Sequence, residues 1–205
     1  MLVIVAGIAV FAQLADWVTD QAAVTRFDLS VDAALHARAT PTGLRIAKGV
    51  SFLGGPAAMA FLMAAGALYL LVRRERLLLQ GWLIAFIGGG ALDWALKTTF
   101  RRARPAFPDA FVHVLGYSFP SGHAMGSLIG FGMLAYVVAH QVRRRRMALL
   151  AAILAAALTL AVGLSRLYLG AHYPSDVLAG FAAGIAWLGA SISALEATVP
   201  RPAAA

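Results

Sequence analysis

The stretch from Ser165 to Asp176 sets Arg166, His172 and Asp176 between two long apolar runs. Ionisable groups are costly at the mouth of a hydrophobic bundle, so a cluster of this kind lines a site. Two further polar islands supply partners: Lys97 to Pro105, which holds Lys97 and Arg104, and Pro120-Ser121-Gly122-His123. Together they suit a phosphate. Lys97 and Arg104 are two helical turns apart and project from one side if the helix carrying Lys97 continues outward. Arg166 adds a third cation, and planar guanidinium groups grip phosphoryl oxygens in pairs. Pro120 to His123 opens a helix, where free N–H groups and the helix dipole hold anions. Gly122 lets the backbone approach the ligand, and Ser121 is an N-cap or a phosphate donor. His123 and His172 offer between them a nucleophile for phosphorus and an acid for the departing oxygen. Asp176, one helical turn after His172, accepts one ring N–H and leaves the other nitrogen for phosphorus. Asp93, one turn before Lys97, holds that ammonium in place.

The elements that must position these groups read as membrane spans. Of 205 residues, 61% are hydrophobic and 13% charged, where a water-soluble domain carries about 25% charged residues. The net charge of +8 sits in clusters between apolar runs, which suits membrane orientation and anionic ligands; no soluble domain carries a basic stripe for nucleic acid. With no cysteine in the chain, disulfides and thiolate metal sites are excluded. Six apolar runs match the hydrocarbon thickness: 1–17, 50–72, 77–96, 120–139, 147–164 and 177–195. The first has no basic residues before it and no small-x-small cleavage pattern after it, so it reads as a retained span. Between spans 1 and 2, Asp28 to His36 reads as a short helix on the membrane surface through Leu29, Ala33 and Leu35, ended by Thr40-Pro41-Thr42-Gly43. Gly88 to Gly90 and the pairs Gly126/Gly130 and Gly180/Gly184 read as close helix contacts. The expected fold is all-α, a six-span transmembrane helix bundle with a short surface helix. It forms one domain over 1–205, closed by a short Pro-rich tail.

With six spans, the islands at 97–123 and 165–176 fall on one face. The short loops Arg73 to Arg76 and Arg143 to Arg146 fall on the other and carry seven arginines. The positive-inside rule puts those loops and both termini in the cytoplasm, and the polar islands outside.

Lys-x6-Arg-Pro at 97–105, Pro-Ser-Gly-His at 120–123 and Ser-Arg-x5-His-x3-Asp at 165–176 resemble the three-part signature of the type 2 phosphatidic acid phosphatase superfamily, with every spacing kept. Eleven identities at fixed spacing are beyond chance when each residue type is about a twentieth of usage. The resemblance covers the whole chain, because integral membrane members carry these motifs after the third span, at the start of the fourth, and between the fifth and sixth. It implies His172 as the residue that takes the phosphoryl group, Asp176 as its orienting partner and His123 as the acid for the leaving group. Lys97, Arg104, Ser121, Gly122 and Arg166 would form the phosphate cradle. It implies no metal and no cofactor. Vanadium haloperoxidases share the signature but are soluble, which the spans argue against.

The expected function is hydrolysis of a membrane lipid phosphomonoester or diphosphate, such as phosphatidylglycerophosphate, undecaprenyl diphosphate or phosphatidate. It would act in a bacterial cytoplasmic (inner) membrane and release phosphate on the periplasmic or exterior side. Two rivals stand beside it: a phosphotransferase passing phosphate from the same histidine to another acceptor, and an anion transporter or channel. The motifs do not separate water from an acceptor, whereas a transport site belongs near the bilayer midplane rather than at span ends. Outside the motifs, Arg101 and Arg102 read equally as headgroup-steering or solvated charges, and His36, His113 and His140 as structural.

Overall fold

Apolar runs of this length satisfy their backbone in lipid as helices, and helices make up every regular element among the described residues. The structure, a computed structural model, describes residues 1–20, 22–142 and 144–198; Gln21, Arg143 of the second arginine cluster and the Pro-rich tail from residue 199 lie outside the described residues. In chain order the helices are α1 (Leu2–Asp20), α2 (Ala22–Ala37), α3 (Pro41–Leu53), α4 (Pro56–Val72) and α5 (Arg76–Leu83). A π-helical turn, Ile84–Gly88, joins α5 to α6 (Gly89–Phe100), and α7 (Gly122–Gln141), α8 (Arg145–Tyr168) and α9 (Pro174–Thr198) complete the chain. Among the described residues, six segments are long and apolar enough to cross a bilayer: α1, α3 with α4, α5 through α6, α7, α8 and α9. The chain is an all-α integral membrane protein.

α7 packs against both α8 and α9, while α1 lies along α9 and α3 along α8. The core between them is built on Trp82, Ala85, Met125, Ile129 and Met133, and large apolar side chains such as Phe61 and Leu154 face outward. Gly180 lets α9 come close to the start of α7, since a Cβ there would lie 2.6 Å from the Ser121 carbonyl oxygen. Gly126, by contrast, has nothing within 4 Å of its Cβ position and is not a packing contact. The π-helical turn has a visible partner, because the Ala85 carbonyl accepts the indole N–H of Trp187 at 3.0 Å.

Several local features depart from the expectations drawn from sequence. The second span begins at Pro41, nine residues early, because Thr40 both follows α2 and caps α3, its side chain accepting from the Gly43 N–H. That span is also interrupted at Gly54 and Gly55, after which Pro56 starts a new helix. The third span does not continue outward: Arg101 takes a left-handed conformation, φ 46°, and ends α6 at Phe100. Lys97 and Arg104 therefore share no helical face. Likewise His172 precedes α9, so its relation to Asp176 is across a turn and not along a helix. The short helix between spans 1 and 2 is present, with Leu29 and Ala33 exposed as expected and Leu35 half-buried, but it turns Asp28 and Asp32 into the interior.

Candidate active site

The last turn of α6, the loop after it, the first turn of α7 and the turn before α9 meet at a cavity of about 310 Å³. Its polar end is lined by Asp93, Lys97, Arg104, Gly122, His123 and His172, and its apolar wall includes Met59, Phe86 and Ile129. All three sequence motifs thus reach one space.

Lys97 stands 3.1 Å from Asp93 Oδ1, the neighbour expected for it, and its ammonium also donates to the Pro120 carbonyl. Arg104 is fixed from several sides. Its Nε and Nη2 donate to the carbonyls of Gly116 (3.0 Å) and Tyr117 (2.9 Å), and its Nη1 to that of Ala171 (2.9 Å). The same Nη1 lies 3.0 Å from His172 Nε2. Burial lowers the proton affinity of Arg104, with Asp176 and Asp93 opposing.

His172 is 2% exposed. Burial is the largest influence on its ring; Asp176 opposes it, Arg104 and Arg166 reinforce it, and the pKa falls to about 4. The ring is neutral at pH 7. Because Nε2 faces a guanidinium that can only donate, the proton is assigned to Nδ1, which faces Asp176 Oδ2 at 3.5 Å, long for a hydrogen bond. Asp176 Oδ2 also accepts the Tyr173 N–H at 3.0 Å.

Ser121 is buried as the N-cap of α7; its N–H donates to the Asp176 carbonyl at 2.9 Å, tying the second motif to the third. It lies behind Gly122, not among the residues that line the cavity. A Cβ on Gly122 would sit 2.8 Å from Asp93 Oδ2. His123 borders a second cavity, also about 310 Å³, shared with Lys48, Ser51 and Arg166. Arg166 is therefore beside His123 but off the wall that holds Lys97 and Arg104. Its Nη1 donates to Ser51 Oγ at 2.6 Å, while Nε and Nη2 have no hydrogen-bond partner among the described residues.

Two groups escaped the sequence reading. Arg102 is not a solvated charge: it contacts Asp176, Ser175 and Asp28, with its guanidinium carbon 4.4 Å from the Tyr173 ring centre. Burial works against its charge, but Asp176 and Asp28 outweigh it, so its proton is held more firmly than usual. Asp28, Asp32 and His36 lie at i, i+4 and i+8 on α2, a stripe whose helical period was visible in the sequence. His36 stacks between Phe107 and Phe111, at 3.9 and 4.2 Å, and bonds Asp109 at 2.9 Å, which fastens the loop after α6 to α2.

The PAP2 superfamily model matches residues 79–199. A crystal structure of a transmembrane PAP2-type phosphatidylglycerolphosphate phosphatase from Bacillus subtilis aligns with a TM-score of 0.88 at 27% identity, covering 97% of this chain and 98% of that one. The chain is 36% identical over 104 residues to phosphatidylglycerophosphatase B of Bacillus subtilis, a match spanning 50% of this chain and 51% of that relative. It is 34% identical over 161 residues to decaprenylphosphoryl-5-phosphoribose phosphatase of Mycolicibacterium smegmatis, covering 74% and 78% of the two chains. With the family model spanning more than half of its length and the three motifs gathered on one cavity, the chain belongs to the PAP2 superfamily.

Proposed function

We propose that this protein, as a single domain, hydrolyses a membrane lipid phosphate through a phosphohistidine on His172. The observation that carries the reading is His172 Nε2 held 3.0 Å from Arg104 Nη1 on a cavity wall shared with Lys97, Gly122 and His123. A phosphoryl group in that cavity would meet a neutral nitrogen, two cations and the N-terminus of α7. Arg104 Nη1 turns from Nε2 to a phosphoryl oxygen, the freed Nε2 lone pair forms the N–P bond as the P–O bond to the lipid breaks, and His123 gives its proton to the departing oxygen. His123 then takes a proton from the water that attacks phosphorus, the N–P bond breaks, and inorganic phosphate is released.

Asp176 orients His172 and balances the charge its ring acquires. Lys97 and Arg104 stabilise the transferring phosphoryl group, and Arg166 retains two donors for an oxygen near His123. The apolar wall at Met59, Phe86 and Ile129 suits the lipid chain. The proposed reaction uses no metal, and the site faces away from the arginine-rich loops, toward the exterior. Phosphatidylglycerophosphate is the first substrate to test, because the Bacillus subtilis curated relative and the Bacillus subtilis solved structure both carry its phosphatase in their names. Purified protein in lipid nanodiscs should release inorganic phosphate from a lipid phosphate and, quenched without acid, carry radiolabelled phosphate on His172. Transfer to an acceptor without release would favour a phosphotransferase, and neither release nor transfer would sink both.

A further inference from the structure

We infer that Arg102 and Asp28 are positioning residues for the nucleophile: Arg102 locks the Asp176 carboxylate against His172, and Asp28 offsets the charge that Arg102 brings. The inference rests on His172 as the nucleophile. Arg102 Nη1 donates to Asp176 Oδ1 at 2.6 Å and to Ser175 Oγ at 2.8 Å, while Nη2 donates to Asp28 Oδ2 at 2.7 Å. Asp28 is held in turn, since the Ser175 N–H donates to its Oδ1 at 3.1 Å and the Ser175 hydroxyl to its Oδ2. Tyr173 lies beneath the guanidinium and fixes its plane. Both acids are buried, so this is a closed network with little freedom to rotate.

Two consequences follow for Asp176. With Oδ1 taken by Arg102, its other oxygen has one orientation available, toward His172 Nδ1 and the Tyr173 N–H. Charge is the second consequence. Arg102 alone would neutralise Asp176 and leave nothing for an imidazole that becomes positive when Nε2 bonds phosphorus. Asp28 supplies a second negative charge, so the trio of Asp28, Arg102 and Asp176 carries one net negative charge beside His172. Arg102 is not among the residues lining the cavity, so it acts through Asp176 without touching substrate.

The rival is a purely structural clamp joining α2 to α9. The experiment compares full-length wild type with Arg102→Gln, Arg102→Lys and the isosteric Asp28→Asn in nanodiscs. It reads steady-state kinetics on a lipid phosphate, the melting temperature and the nitrogen NMR of the labelled His172 ring, assigned by its loss in His172→Ala. The loss should fall on kcat, by about 10- to 100-fold as for the outer partner of a metal-bound histidine, with KM changed less than about threefold. The His172 signals should move from one tautomer to a mixture in Arg102→Gln, and Arg102→Lys should recover part of kcat. Asp28→Asn should lower kcat with little change in melting temperature. Unchanged kcat and tautomer with only a lower melting temperature would overturn the proposal in favour of the clamp. If Arg102→Gln does not fold, Asp28→Asn decides by the same readouts. Absence of label on wild-type His172 would defeat the nucleophile reading, whereas the tautomer measurement still judges what Arg102 does to the ring.

Discussion

A neutral His172 needs no base to free its attacking nitrogen at pH 7. Since burial and the nearby arginines push its pKa down to about 4, the acidic limb of kcat/KM that belongs to it should appear near pH 4. A pH series from 8 to 3.5 checks this, and an acid limb near 6.5 that vanishes with His172 would contradict it. The two histidines should also part by leaving group. His172→Ala is expected to be inactive on every substrate. His123→Ala should lose about 10²- to 10⁴-fold on an alkyl monophosphate and much less on an aryl phosphate, which leaves without help; parallel kcat measurements on both substrates decide. Asp32 offers a stability test. Burial raises its pKa to about 6, opposed by His36, and its Oδ1 has no hydrogen-bond partner among the described residues. Its folded form therefore favours the proton, a contribution present below pH 3.8 and lost as pH rises through about 6. Asp32→Asn stays neutral and should stabilise the fold by about 1–3 kcal/mol at pH 8, with the gain shrinking below pH 4. Thermal melts in detergent at the two pH values measure it.

Among the helices, the meeting of α7 with α9 sets the site, because Ser121 N–H and Asp176 carbonyl join there and Gly180 admits the contact. Gly180→Leu should wedge the two apart and abolish activity even in protein that still folds, as read by kcat on protein passed through size exclusion. The six spans and the convergence of the motifs were legible in the sequence, since apolar length and the placement of ions are what a bilayer reads. The interruption at Gly54 and Gly55 was not, because apolar residues continue across it, and Arg45 and Lys48 disguised α3 as a loop. Arg102 was invisible for another reason: it lies beyond a left-handed turn at Arg101, where helical period no longer says where a side chain goes. Asp28 does carry a periodic signal with Asp32 and His36, but the apolar Leu29, Ala33 and Leu35 on the same helix account equally well for a surface helix and mask it.

For the whole molecule, orientation and chemistry can be tested separately. A reporter fused after Arg146 should be cytoplasmic and one placed within residues 108–114 external; the opposite pattern would turn the protein around. Activity should survive chelation of divalent ions and be inhibited competitively by orthovanadate, and loss in chelator restored by a metal would contradict the metal-free reaction.

The second span, 32 residues from Pro41 to Val72, would be about 48 Å long if straight, against about 30 Å of hydrocarbon. Its first turns carry Arg45 and Lys48, charges that belong outside the hydrocarbon, and at the break in the helix a Cβ on Gly55 would lie 3.5 Å from His123 Nε2. A change in bilayer thickness that tilts this span at the break should therefore be felt at His123. Turnover in vesicles of graded acyl length should pass through a maximum, so that the membrane holding the substrate also sets how fast it is consumed.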